Sequence, residues 1–224
     1  MSGPSVKYNM NLTVVTAAWR VDGVKKVIGC LNNQTYQDFE HIIVNDNNTD
    51  VRKWLNENYF FENENRRHII DSHVRLHYYG ALARNIGIQV AFSYLHHSKR
   101  DIENEWVCFL DDDNLWKTNH LQSMIDALKT NPEATMITSD AEWIGVNDPN
   151  WREIKECKFR HGGCDLGQFL YKTKLFKTYG YFDPHPHNKQ RFDWRLIEKI
   201  VKGEGLDKIV LTHQSTFLMS YRKR

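Results

Sequence analysis

At 224 residues the chain has room for one large domain, since domains commonly run ~100–200 residues. A hydrophobic fraction of 41% with 26% charged residues excludes both a disordered chain and one buried in lipid. Lys and Arg number 30 against 28 for Asp and Glu, so the molecule carries no field that argues for a nucleic-acid partner.

Met1-Ser2-Gly3-Pro4-Ser5 is small, polar and turn-prone, and residues 1–9 are set apart from the fold. Leu12 to Thr16 is a β-branched run, and Val24 to Leu31 follows with apolar residues at helical spacing. His41 to Asn45 reads as a second buried strand, which breaks into Asp46-Asn47-Asn48-Thr49-Asp50 before a helix over Val51 to Tyr59. His68-Ile69-Ile70 is a third short strand, and Ala81 to Tyr94 has the pattern of an amphipathic helix. Trp106 to Leu110 is an apolar strand that runs directly into three aspartates. Helix over Leu121 to Lys129, strand over Ala134 to Ser139, and helices over Leu175 to Tyr179 and Trp194 to Val201 come next. Lys208 to Thr212 and Thr216 to Ser220 are expected as closing strands, while Trp143 to Gly163 has little periodicity and is expected as a loop or short hairpin. The β-α-β alternation implies a single Rossmann-like α/β domain over 10–224, with helices on both faces of a mostly parallel, mixed sheet. No repeat or low-complexity linker divides it.

No run approaches the ~18–20 apolar residues that cross a bilayer, and the N-terminus lacks the layout of a secretory signal. A cytoplasmic protein is expected, with the basic Tyr221-Arg222-Lys223-Arg224 allowing at most peripheral membrane contact. Cys30, Cys108, Cys157 and Cys164 are too few and too irregular for a disulfide framework and fit reduced thiols. Cys157, His161 and Cys164 offer three zinc ligands but no fourth at a finger spacing.

Asp111-Asp112-Asp113 is the strongest chemical signal. Three carboxylates at the tip of a buried strand repel one another unless positive charge sits among them. Mg²⁺ or Mn²⁺ answers that need, because it is usually shared between one or two carboxylates and the phosphates of a nucleotide. The competing explanation is an acidic helix N-terminus leading into Asn114-Leu115-Trp116. Asn45-Asp46-Asn47-Asn48 ends an earlier parallel strand, so Asp46 should share the carboxyl edge of the sheet with the aspartate run. There its carboxylate accepts from a base N–H or ribose hydroxyl, or else closes a purely local Asx turn.

Cys30 to Glu40, with Gln34-Thr35-Tyr36 and Phe39-Glu40, followed by Ile42 to Asp50, resembles the helix, Q-T-Y, F-E and V-D-D-G-S-T-D signature of glycosyltransferase family 2. Gly80-Ala81-Leu82-Ala83-Arg84-Asn85-Ile86-Gly87 is similar to that family's G-x-x-x-A-R-N-x-G helix, and Phe109 to Trp116 to its aspartate-x-aspartate site. The resemblance spans roughly residues 10 to 202, thins between Ala141 and Gly163, and implies the GT-A fold, with a nucleotide-binding half over 10–116 and an acceptor and catalytic half over 117–224. It further implies that Thr16 and Ala17 border the nucleotide, that Asp46 holds the base, that Arg84, Asp111 and Asp112 belong to the nucleotide-sugar site, and that Asp113 binds Mn²⁺ or Mg²⁺. Asp193 stands where the family carries its catalytic base, and Asp165 and Trp194 stand where relatives meet donor sugar or acceptor. His213 lies where some GT-A enzymes place a further metal ligand. The sequence departs from the pattern at Asn45, Asn47 and Phe192, which replace an aspartate, a glycine and an acid.

The function so implied is inverting transfer of a sugar from a nucleotide-diphosphate donor, UDP favoured, to an acceptor hydroxyl of a glycan. Single displacement needs no protein nucleophile, in keeping with the lack of a serine-hydrolase elbow. Two alternatives are a sugar nucleotidyltransferase, which would need a glycine-rich loop absent from Thr16-Ala17-Ala18-Trp19-Arg20, and a catalytically silent GT-A binding module. His185-Pro186-His187 is a candidate lid or a solvent-exposed turn.

Overall fold

Valine, isoleucine and threonine suit the crowded faces of a pleated strand, and the chain is extended where the sequence gathers them. A computed structural model describes residues 11–58, 67–76, 80–98, 105–145, 150–184 and 192–221; the His185 to His187 segment and the basic tail from Arg222 lie outside the described residues. In the first half, β1 (Asn11–Ala18), β2 (Glu40–Asn45), β3 (Arg67–Asp71) and β4 (Glu105–Phe109) alternate with α1 (Val21–Asn32), α2 (Thr49–Asn58) and α3 (Ala81–Ser98). β1 pairs in parallel with both β2 and β4, and β2 with β3. The spatial order β3-β2-β1-β4 therefore reverses beside β1, which is where an open parallel sheet leaves a crevice at its carboxyl edge.

The second half contributes β5 (Asn114–Trp116), α4 (His120–Thr130), β6 (Met136–Gly145), β7 (Arg152–Lys155), β8 (Phe169–Lys172), α5 (Lys174–Tyr179), α6 (Phe192–Glu204) and β9 (Ile209–Tyr221). β8 runs antiparallel between β4 and β6, β9 lies parallel to β6 and antiparallel to β5, and β7 pairs with β6 as a hairpin. Among the described residues the result is one mixed sheet of nine strands, flanked by helices as the alternation implies.

Two details differ from the sequence pattern. β5 and β8 have too few residues to show periodicity and exist through pairing with strands distant in sequence. The irregular stretch after Trp143 holds a short hairpin, β6–β7, one of the two forms expected for it. The two expected closing strands are one long β9, bent at His213, whose φ of 53° accompanies shifts of register around Asp140.

Alternation along the central strands divides the core. Val15, Val107 and Phe109 pack with Ala83 and Ile88 of α3, Phe176 of α5, and Leu196 and Ile197 of α6. Val14, Trp106 and Cys108 face the other way, toward Val27 and Leu31 of α1 and Leu121 and Met124 of α4. Burial of each such large apolar side chain is worth about 1.5–3 kcal/mol, so a slip of one residue would turn both faces inside out.

Cys157 and Cys164 form a disulfide, their Cα atoms 5.1 Å apart, which corrects the expectation of four reduced thiols; Cys30 and Cys108 are free. It also removes two of the three zinc ligands considered. Among the described residues no helix is long and apolar enough to cross a membrane.

Candidate active site

β1 lies between β2 and β4, and strands in a sheet are about 4.8 Å apart, so the tips of β2 and β4 stand about 10 Å from each other. A cleft of about 460 Å³ opens there, lined by Ala17, Trp19 and Arg20 after β1, Asp46 after β2, and Asp111, Asp112 and Asp113 after β4. Arg75, Gly80, Ala83 and Arg84 complete its wall. The two acidic segments singled out in the sequence thus meet in one cavity.

The positive charge demanded by three adjacent carboxylates comes from the protein itself. Arg84, almost wholly buried, directs Nε to Asp111 Oδ1 at 3.0 Å and Nη2 to Asp111 Oδ2. Burial pulls the Arg84 guanidinium toward neutrality, yet the charge and hydrogen bonds of Asp111 outweigh it and hold Arg84 above its ordinary range. Asp112 accepts backbone N–H groups of Trp19 at 2.8 Å and Arg20 at 2.6 Å, and its other oxygen accepts the Arg20 guanidinium, Nε at 3.1 Å. The hydrogen bond to Asp112 raises Arg20 further above its already high value. Asp112 therefore ties the β1 loop to the β4 tip.

Asp113 differs. Its side chain is 56% exposed, and Arg20 Nη2 approaches one oxygen at 3.1 Å. It is the most exposed of the three acids, against 19% for Asp111 and 5% for Asp112, which fits a divalent ion held by one carboxylate plus donor phosphates. No group of three His, Cys, Asp or Glu side chains among the described residues is arranged as a metal cage. His213 does not line the cleft: its left-handed backbone at the β9 bend turns the ring outward, 71% exposed, with Nδ1 3.9 Å from Asp140.

Thr16 is fully buried and hydrogen-bonds His41 Nε2 at 3.0 Å, whereas Ala17, on the alternate face of β1, reaches the cleft. Asp46 accepts the backbone N–H of Leu76, and its other oxygen faces Arg75 Nε at 3.7 Å. Asn45 is wholly buried; its amide bonds Asn48 and Asp71, so this departure from the family pattern builds the turn and offers nothing to a ligand. Asn47 has φ 53°, the left-handed region where glycine is favoured and asparagine is the commonest substitute.

The Gly80 to Gly87 segment acquires a physical meaning. Arg84 neutralises Asp111. Asn85 latches α3 to the chain at Phe182 with paired bonds of 2.8 and 3.0 Å. Gly87 passes so close to β1 that a Cβ there would sit 2.3 Å from a Val15 methyl.

Asp165 caps the 3-10 turn Leu166–Gln168, accepting the Gly167 N–H at 3.0 Å, while its own backbone N–H donates to the Gln168 side-chain carbonyl at 2.7 Å. Burial, reinforced by the charges of Asp111 and Asp193, pushes the Asp165 carboxyl up to about 7 against the pull of the Gly167 N–H and Arg84. Asp193 lies in the first turn of α6 and accepts the Trp194 N–H at 2.7 Å; Trp194 packs half-buried on the α3 and α6 side of the core. β8 runs antiparallel to β4 with Leu170 opposite Cys108, so Asp165, just before β8, stands at the carboxyl edge where Asp111 follows β4.

Arg20 and Arg75 were not singled out by sequence. Arg75 stands in a polar stretch without periodicity, and only the fold brings its guanidinium over the Trp19 ring, 3.2 Å from the centroid. Arg20 carried one signal, its position directly after the β1 loop that borders a crevice.

Comparison with known proteins agrees with this geometry. The amylovoran biosynthesis glycosyltransferase AmsB of Erwinia amylovora is 30% identical over 124 residues, 54% of this chain and 36% of AmsB, so the chain spans about a third of that relative. The crystal structure of S. aureus TarS 1-349 aligns with a TM-score of 0.68 at 17% identity, covering 94% of this chain and 60% of that one. The mannosyltransferase PcManGT from Pyrobaculum calidifontis, in complex with GDP-Man and Mn²⁺, aligns at 0.64 and 14% identity, over 99% of this chain and 60% of its own. At such identities these likenesses establish the architecture, which is the GT-A fold. The profile described as Glycosyl transferase family 2 matches residues 13–197, and with most of its length inside that match the chain belongs to glycosyl transferase family 2.

Proposed function

We propose that the chain transfers a sugar from a nucleotide-diphosphate sugar, with UDP the favoured carrier, to a hydroxyl of a glycan, with inversion at the anomeric carbon. The observation that carries this reading is the single cleft shared by the Asp46 turn and the Asp111 to Asp113 segment. Further support comes from neighbours of the same fold: TarS 1-349 has been crystallised with UDP and with UDP-GlcNAc, and PcManGT with GDP-Man and Mn²⁺. AmsB, named for amylovoran biosynthesis, supports a polysaccharide acceptor.

In this reading Asp46 accepts from the base and Ala17 lies against the nucleoside. Arg84 orients Asp111 toward the ribose, its charge working against the burial that raises the Asp111 carboxyl above its usual range, and Asp112 keeps the β1 loop closed against β4. Asp113 would hold Mn²⁺ or Mg²⁺, which when bound offsets charge on the departing diphosphate. Asp193 takes the proton of the acceptor hydroxyl as its oxygen bonds to the anomeric carbon and the bond from that carbon to the phosphate oxygen breaks. Asp165 and Trp194 face the sugar being moved or its acceptor.

A panel of UDP, GDP, CMP and TDP sugars with Mn²⁺, followed by nucleotide release and thermal shift, tests the proposal. One donor class should both raise the melting temperature and release its nucleotide. Stabilisation without release in the presence of every acceptor tried would favour the silent binding module instead.

A further inference from the structure

A second concavity, about 880 Å³, lies beyond Asp165 in the other half of the domain. One wall is the β6–β7 hairpin, through Ala141, Trp143, Ile154 and Lys155; the other is the loop from Lys158 to Cys164. That loop is closed on itself by the Cys157–Cys164 disulfide and by backbone bonds between Lys158 and Gly163 at 3.1 Å and between Gly163 and Arg160 at 2.9 Å. The wall is therefore preformed, which lowers the ordering entropy lost on binding. Gln168 and Asp165 form the inner end; β8 runs antiparallel to β4 with Leu170 opposite Cys108, so the turn before β8 comes at the edge where Asp111 follows β4. The inner end of the groove and the donor cleft therefore share the carboxyl edge of β4.

Its chemistry is mixed. Lys155, Lys158 and Arg160 face Glu153, Glu156 and Asp165 along the same lining, and Lys155 is already paired with Glu153. Cations and acidic groups alternate along it, so no single-sign stripe is offered to a polyanion, and interleaved donors and acceptors suit a chain of hydroxyls. Apolar surface is also present: Ile154 is 64% exposed, and the Trp143 ring, with Lys155 Nζ 5.2 Å from its centroid, lines the same groove. Tryptophan combines a flat apolar face with a polar edge, matching the alternating C–H and O–H faces of a pyranose. The volume lies near the top of the ~300–1,000 Å³ range that encloses a drug-sized ligand, more than one monosaccharide fills.

We propose that this groove binds an uncharged oligosaccharide acceptor of several sugar units, its reacting end at Asp165 and its preceding units along Trp143 and Ile154. The inference rests on the glycosyltransferase reading for its direction of travel, and on the groove alone for its ligand.

The test uses the whole chain with graded neutral gluco-, galacto- and manno-oligosaccharides of one to four units, and with heparin as polyanion. Binding is measured calorimetrically with Mn²⁺ and UDP present, and nucleotide release is followed separately. At least one neutral series should tighten about tenfold from one unit to three and hold its affinity within about twofold between ~50 and ~500 mM salt. Trp143→Ala should weaken that series about fivefold or more, acting on acceptor KM rather than kcat. Affinity independent of chain length, or binding confined to heparin and lost with salt, or an unchanged Kd in the Trp143 variant, overturns the proposal. Because binding is read without turnover, a failure of nucleotide release with every donor would count against the transferase reading and leave the groove to be judged on its own data.

Discussion

Arg84 and Asp111 form a two-point ion pair beneath the cleft, with Nε on one oxygen and Nη2 on the other. A buried pair of this kind adds little over a well-packed apolar pair, but removing one partner strands the other charge. Arg84→Met is therefore expected to lower unfolding free energy by about 3–5 kcal/mol, read by urea denaturation. Arg84→Lys keeps the charge and loses the fork, and should fall between the two. Equal stability of all three proteins would mean that Asp111 does not depend on Arg84.

The exposed Asp113 and the helix-borne Asp193 should separate binding from chemistry. Asp113→Asn is expected to abolish the Mn²⁺-dependent part of nucleotide affinity, measured by calorimetry with and without the ion. Asp193→Asn should leave donor affinity within about twofold while lowering turnover about 10²–10⁴-fold, the usual contribution of a general base. Normal turnover by the second variant would remove Asp193 from its assigned role.

The fold and the meeting of the two acidic strand ends were legible in the sequence. The strand runs ending at Asn45 and Leu110 fixed which tips are polar, and the β-α alternation put those tips on one edge of a sheet. What could not be read was the partner of each charge. The aspartate run invited a cation to relieve its repulsion, and the structure supplies Arg20 and Arg84, one from a loop after β1 and the other from a helix, 92 and 27 residues away in sequence. Pattern arguments are local, and these pairings are not. The same holds for β8, whose four residues form a strand only because β4 and β6 flank it, and for His213, whose left-handed backbone at a register shift turns it toward Asp140.

Stability should depend on pH through opposing groups. Burial holds His41 and His120 down to about 3, so below their ordinary value of about 6.5 the unfolded chain binds two protons that the folded chain refuses. That makes stability rise with pH from about 4 to 6.5. Asp165, pushed up to about 7, keeps its proton in the folded state while the unfolded carboxyl ionises near 4, so it contributes the opposite slope over the same window. Asp165→Asn is accordingly expected to steepen the rise by about 1.4 kcal/mol per pH unit between pH ~4.5 and 6, measured by denaturant titration. An unchanged slope would show that Asp165 is not held protonated there.

The disulfide joins Cys157, at the end of the β7 wall, to Cys164, next to Asp165. Its opening frees a short loop and should cost about 2–3 kcal/mol in stability if the chain-entropy account holds. The loop touches the second groove and not the donor cleft. Reduction with a phosphine, or Cys164→Ser, should therefore raise acceptor KM about threefold to tenfold and leave UDP affinity within about twofold. Parallel loss of UDP affinity would tie the loop to the donor side instead.

Gly23 offers the sharpest steric test of how the aspartate run is held against α1 and the loop after β1. It lies in the first turn of α1, and a Cβ added there would meet the Asp112 carbonyl oxygen at 2.1 Å and the Asp112 Cβ at 2.9 Å. Neither atom belongs to the far end of a flexible side chain, so the β4 tip or the helix must move. Asp112 can retreat only by loosening its bonds to the Trp19 and Arg20 N–H groups, and those bonds set the position of Arg20 beside Asp113. Gly23→Ala, ordinarily a stabilising change in a helix, is thus expected to destabilise by about 1–3 kcal/mol and to weaken donor binding at the same time. Gly29, in the same helix with open space around its Cα, is the internal control: Gly29→Ala should gain up to about 1 kcal/mol and leave donor affinity alone. If both variants gain stability, the contact between α1 and the aspartate run is looser than the packing of Gly23 against Asp112 requires.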